Sequence, residues 1–220
     1  MTSSTDPFDH VFWLASRSAG VVAYLLLSGS VILGLVMSTR LATGRDVRVL
    51  HERIALLALG AVAAHGLLLL PDSWLEPKLS EVVIPFTSGY RPLWTGLGIL
   101  AAYGTVGLSL TYYARRRLGH RRWRNAHRFI PIAWALAAAH VIGAGTDVVS
   151  LWLQVVLAAT IAAIVVLIVR RGLAGVPMTQ PAGREPARAG GGSAGTEPAP
   201  SEPAPARPEP ERMPELGLFR

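Results

Sequence analysis

Residues 50–70 read LHERIALLALGAVAAHGLLLL and residues 127–145 read HRFIPIAWALAAAHVIGAG. Each stretch is apolar and carries two histidines, 14 residues apart in the first (His51 and His65) and 13 apart in the second (His127 and His140). An ionisable side chain in hydrocarbon is costly, so histidines in spanning helices usually face a bundle interior, a cavity or a cofactor. A lone intramembrane histidine is often structural, bonded to a backbone carbonyl. Two pairs at nearly matching spacing point to two stacked haems inside a membrane, because neutral imidazoles on both faces of a haem give a six-coordinate iron suited to electron transfer.

Composition sets the surroundings. Hydrophobic residues make up 51% of the 220-residue chain and its mean hydropathy is +0.39, while the C-terminal quarter is polar. The apolar residues therefore concentrate in the first 170 positions, as in an integral membrane protein. Cysteine is absent, which excludes thiolate metal sites, iron–sulfur clusters and covalently attached haem, so haem here is of the b type. The single lysine, Lys78, lies between spans, which excludes a retinal Schiff base. The net charge of +7 comes largely from arginines beside membrane segments, where they report orientation and not nucleic-acid binding. The first ten residues hold Asp6 and Asp9 and lack the positive start of a signal peptide, so the first apolar run is expected to stay in the membrane as a helix.

The fold expected is all-α, an integral membrane bundle of about five helices over residues 11–170, after an extracytoplasmic segment 1–10. The spans read as Val11–Thr39, His51–Leu70, Pro92–Tyr113, Arg128–Gly145 and Val148–Val169, of which the fourth is the shortest. Arginines crowd the first-to-second and third-to-fourth connections and follow the fifth span. The alternate connections hold Asp72, Glu76, Glu81 and Asp147 with only Lys78 and Arg91 as cations. The positive-inside rule then puts the N-terminus outside and the C-terminus in the cytoplasm, in the cell's inner (cytoplasmic) membrane. Residues 171–220 are rich in Pro, Ala, Gly and Glu and read as a disordered cytoplasmic tail, too polar to form a core.

With that topology the second and fourth spans run parallel, and each level of the membrane receives one histidine from each. His65 lies ~21 Å beyond His51, and His140 ~20 Å beyond His127, at 1.5 Å per residue. Small residues around the ligands, such as Ala61, Ala64, Ala137 and Gly143, leave room for a flat macrocycle or for close helix packing. Haem propionates need cations at the membrane boundary: Arg53, Arg124 and Arg128 at the cytoplasmic level, Arg17 and Arg91 at the outer one. Fourteen residues return to within ~40° of the starting face, but thirteen leave His127 and His140 ~140° apart on a straight helix. Pro131 is expected to kink that helix and correct the phase. His120, among arginines, and His10, in an acidic segment, read as solvated.

Parallel spans bearing His-x13-His and His-x12-His make the chain resemble the ferric reductase-like transmembrane domain, shared by ferric reductases and NADPH oxidases, over residues 11–170. Supporting motifs are Arg17-Ser-Ala-Gly20, Leu50-His51-Glu52, Trp123-Arg-Asn-Ala-His127, Pro85-Phe86 and Tyr90-Arg91-Pro92-Leu93-Trp94. The resemblance implies that His51 with His127 ligate an inner haem and His65 with His140 an outer one, with electrons moving outward. Ferric reductases continue into flavin and nicotinamide domains. The sequence holds no G-x-G-x-x-G in a strand-to-helix setting, so the electron donor is expected on another molecule.

The function expected is a membrane cytochrome with two b-type haems, an electron-transfer subunit without its own flavin domain. A quinol or a separate flavoprotein would be the donor, and ferric iron, oxygen or a redox protein the external acceptor. A close variant resembles the haem-binding membrane subunit of the periplasmic methionine sulfoxide reductase system. One alternative is a transition-metal permease using the same histidines, which calls for acidic or thioether ligands nearby; none lies mid-span in the histidine-bearing helices. Another is a non-catalytic anchor whose tail recruits a partner.

Overall fold

The computed structural model describes residues 10–72 and 76–174, and among these all regular structure is helical. Of the tail expected over 171–220, residues 171–174 are instead the last turn of a helix, and the rest, with segment 1–9, lies outside the described residues. In chain order the helices are α1 (Val11–Ser38), α2 (Arg45–Leu69), α3 (Leu79–Val83), α4 (Pro92–Tyr113), α5 (Arg115–Leu118), α6 (His120–His127), α7 (Ile130–Ala144) and α8 (Leu151–Ala174), with a 3-10 turn at Thr146–Val149 before the last. The protein is an all-α membrane bundle. Helices α1, α2, α4 and α8 are each long and apolar enough to cross a bilayer.

Local sequence sets the boundaries. Pro92 opens α4 in the first turn, where its missing N–H costs nothing, after Arg91 adopts a left-handed conformation (φ 42°). Gly119, at φ 83°, makes the corner between α5 and α6. Helix α2 starts at Arg45, six residues before the expected first residue of that span, His51. Asp46 in its first turn favours the N-terminal dipole, and the following residues are helix-compatible although too polar to count as a span. His51 thus sits inside a formed helix.

The fourth span differs most from expectation. Its expected bounds, Arg128–Gly145, hold only α7, and His127 is not continuous with it but ends the separate helix α6, before a break at Arg128–Phe129. Pro131 lies in the first turn of α7 and so opens a helix instead of kinking one. Helix α7 has 15 residues, ~22 Å of rise against the ~30 Å hydrocarbon core, and is too short to span alone. The fifth span begins at Leu151, three residues later than Val148, because Thr146–Val149 is taken up by the 3-10 turn.

Helix α1 lies at the centre. Its Tyr24, Leu27, Val31 and Leu35 pack with Ala58 of α2, Trp134 and Ala138 of α7, and Leu153, Leu157 and Ile164 of α8. Polar groups inside this core are paired, as burial demands: Trp134 Nε1 donates to Ser28 Oγ at 2.9 Å, and Tyr24 and Thr160 hydroxyls meet at 2.7 Å. Helix α1 packs mainly along α2, and α4 along α7, while contact between α2 and α4 is thin. Leu56, Leu57 and Leu67 of α2 are exposed, as expected of a lipid-facing surface.

Candidate functional site

The four histidines meet in two pairs. The rings of His51 and His127 have centroids 6.3 Å apart with planes at 87°, and those of His65 and His140 are 6.2 Å apart at 69°. The near-equality of the two distances answers the phase problem, since the break at Arg128–Phe129 lets α6 present His127 independently of α7. All four histidines are half-buried.

Each side chain is anchored by a neighbouring backbone. His65 Nδ1 donates to the Ser16 carbonyl at 2.8 Å, and Ser16 Oγ, itself donating to the His65 carbonyl, lies 3.1 Å from the same nitrogen. His51 repeats this one level away, with Nδ1 donating to the Ser30 carbonyl at 3.0 Å and Ser30 Oγ at 3.4 Å. His140 Nδ1 donates to the Trp94 carbonyl at 2.8 Å. A carbonyl only accepts, so these three rings carry their proton on Nδ1 and hold a lone pair on Nε2. His127 differs: its buried Nδ1 faces the Leu108 backbone without well-formed hydrogen-bond geometry, and the Leu108 carbonyl accepts the Thr111 hydroxyl at 2.5 Å instead.

The space around the pairs differs too. His65 and His140 line a cavity of about 960 Å³ that also includes Tyr24, Ile99, Tyr103 and Ala137 and reaches His10, Arg17 and Tyr90. His51 and His127 border only about 30 Å³, with Ser30, Ala55, Thr105 and Ser109. Beside the smaller space an aromatic cluster replaces the void: Trp123 stacks on His127 (5.5 Å) and on His120 (5.1 Å), and Tyr112 lies 5.9 Å from Trp123. The buried Trp123 Nε1 makes no hydrogen bond.

Of the expected arginines, Arg17 forms an ion pair with Asp147, through two hydrogen bonds, and stacks over Trp13. An arginine inside a span seeks an anion, and here the anion is a side chain that sequence reading treated only as a topology marker. Arg91 donates to the Gly143 carbonyl at 2.5 Å. Arg53, Arg124 and Arg128 are exposed at the His51/His127 end, with Arg128 over the Phe129 ring. His120 is exposed as expected, whereas His10 is half-buried and lines the large cavity. Ser16, Ser30, Trp123 and Asp147 were missed by sequence reading. The serines had a visible signal, because they are 14 residues apart, the same interval as His51 and His65.

An all-helical bundle with four helices long and apolar enough to cross a bilayer defines a multi-pass membrane protein. The chain matches the family model of the ferric reductase-like transmembrane component over residues 19–138, more than half its length, and it belongs to that family. The matched segment includes His51, His65 and His127 and stops two residues short of His140. Domains of this family usually bind haem. Neither the curated proteins nor the solved structures contain a significant match.

Proposed function

We propose that this protein is a b-type cytochrome with two haems that carries electrons across the inner (cytoplasmic) membrane. His51 and His127 would hold the inner haem, and His65 and His140 the outer one. The observation that carries this reading is the ring spacing. Two imidazoles bound through Nε2 on opposite sides of one metal ion, at ~2.0 Å each and with ~1.2 Å from nitrogen to ring centre, have centroids ~6.4 Å apart. The pairs stand at 6.3 and 6.2 Å. The Nδ1 anchors support it further, since they leave the lone pair on the ligating nitrogen.

The outer surroundings fit the group, and the inner ones do not hold its volume. The outer cavity of about 960 Å³ is at the upper end of the range of cofactor pockets, ~300–1,000 Å³. At the inner level about 30 Å³ is free, so α6 would have to move outward to admit the group, and the support there is the ring spacing together with Trp123 Nε1, a buried donor without a partner. Bound haem would supply a one-electron ferric/ferrous couple at each level. The chain's own part would be to supply one histidine pair to each haem, exclude water from the span and separate the levels by ~21 Å along α2. Arg53, Arg124 and Arg128 at one end, and Arg91 with Arg17 at the other, are the cations available to propionates. Electrons enter from a quinol or a separate flavoprotein at the arginine-rich end, which the positive-inside rule places in the cytoplasm. They leave to an external acceptor: ferric iron, oxygen or a redox protein.

A metal-permease reading lacks such support, because among the described residues no group of three or more His, Cys, Asp or Glu converges on one point. The deciding experiment is the dithionite-reduced minus oxidised spectrum of the purified chain with haem counted per polypeptide. Two b-type haems, one lost in His51→Ala and one in His65→Ala, are expected. A chain without haem after expression with ample haem supply would overturn the reading.

A further inference from the structure

The carbonyls that anchor the histidines share a feature that the ligand assignment does not use. The residue four positions after Ser16 is Gly20, four after Ser30 is Gly34, and four after Trp94 is Gly98. In a helix the carbonyl of residue i already accepts the N–H of residue i+4, and the side chain at i+4 leans back over that turn. A small hydroxyl can still reach such a carbonyl, as Ser16 Oγ reaches that of His65, but an imidazole ring from a neighbouring helix has most room where that side chain is missing.

The glycines are in contact with the rings they admit. A Cβ added at Gly20 would stand 2.9 Å from His65 Nδ1, one at Gly98 2.5 Å from His140 Nδ1, and one at Gly34 3.4 Å from His51 Cε1. The first two distances are closer than such atoms approach, and the third is ordinary contact. Gly29 and Gly107, on the same two helices, would meet nothing within 4 Å. At the fourth position the pattern fails: the residue four after Leu108 is Tyr112, and His127 is the one ring whose Nδ1 has no well-formed hydrogen bond.

Resting on the haem-ligand reading above, we propose that Gly20, Gly34 and Gly98 are positioning residues, notches through which a backbone carbonyl fixes the proton and orientation of an axial histidine. At the fourth position Tyr112 stands where a glycine would, and the Leu108 carbonyl accepts the Thr111 hydroxyl at 2.5 Å. The inner site then has one ring fixed by a carbonyl and one packed against Trp123, and the outer site two rings fixed by carbonyls.

The test compares alanine variants of the full chain by the coordination state of each haem, read from the low-spin ferric spectrum and from carbon monoxide binding to the reduced protein. Gly98→Ala and Gly20→Ala should turn the outer haem partly high-spin and open to carbon monoxide while the inner haem stays six-coordinate. Gly34→Ala should do the same, more weakly, to the inner haem alone. Gly29→Ala and Gly107→Ala should change neither. Tyr112→Gly should lower the inner midpoint potential, because an Nδ1–H that donates makes the imidazole more basic and favours ferric iron. The proposal is overturned if Gly20→Ala and Gly98→Ala keep both haems low-spin, or if these variants disturb both levels alike. Wild-type protein without haem would instead bring down the ligand assignment itself, so the two failures are distinct.

Discussion

The His51/His127 end and the His65/His140 end of the bundle have the same ring spacing, 6.3 and 6.2 Å, and little else in common. The outer pair has both imidazoles tied to carbonyls and a cavity of about 960 Å³. The inner pair has one tied imidazole, about 30 Å³ of space and a tryptophan stacked against the untied ring. Spacing between ligands and room for what they bind are thus set by different parts of the sequence. The first follows from two helix pairs, and the second from what fills the gap between them.

The sharpest way to break the comparison is to move one end without the other. An alanine inserted between Arg128 and Phe129 lengthens the two-residue turn between α6 and α7 and shifts His127 relative to His140. It should abolish the inner low-spin signal, leaving the outer one intact; loss of both would show that the ends are one unit. A smaller effect is expected from limiting haem. At substoichiometric supply His65→Ala should lose most of the bound haem and His51→Ala little, because the outer site is already open. Equal losses, measured by pyridine haemochrome, would contradict the difference in cavity size.

Two further variants sharpen it. Trp123→Phe keeps the ring on His127 but removes an N–H buried without a partner. It should stabilise haem-free protein by about 1 kcal/mol, seen as a higher unfolding midpoint, and speed inner haem loss if that N–H serves a propionate. A destabilised apo form would show the N–H already satisfied. The smallest effect belongs to Asp147→Asn, which removes the partner of Arg17 at the outer end. Both side chains are partly exposed, so about 0.5–1 kcal/mol is at stake, and thermal unfolding should fall slightly while the inner spectrum stays unchanged.

Hydropathy made most of the bundle legible. Pro92–Tyr113 has the expected bounds and α1 ends one residue early, because apolar runs closed by Pro or by polar turns leave little choice. The start of α2 was not legible, since residues 45–50 are helical without being apolar. The split of the fourth span was half visible. The 13-residue interval demanded a correction and Pro131 marked its neighbourhood, but the break falls at Arg128–Phe129, where no residue type forbids a helix. The histidines were found because intramembrane histidines are rare; their anchors were not, because a backbone carbonyl has no letter of its own. The fate of Arg17 turned on Asp147, 130 residues away, a pairing that only the tertiary fold creates.

The thin contact between α2 and α4 has a consequence for assembly. Helices α1 and α2 form one packed half that carries His51 and His65 with their anchoring carbonyls. Helices α4 and α7, with α6 attached, form the other, carrying His127 and His140. Every imidazole pair straddles the seam between the halves. The seam is already joined where α1 meets Trp134 and Ala138 of α7; on the reading proposed above, a haem ligated from both sides would rivet it a second time, and haem supply would then be a checkpoint for maturation.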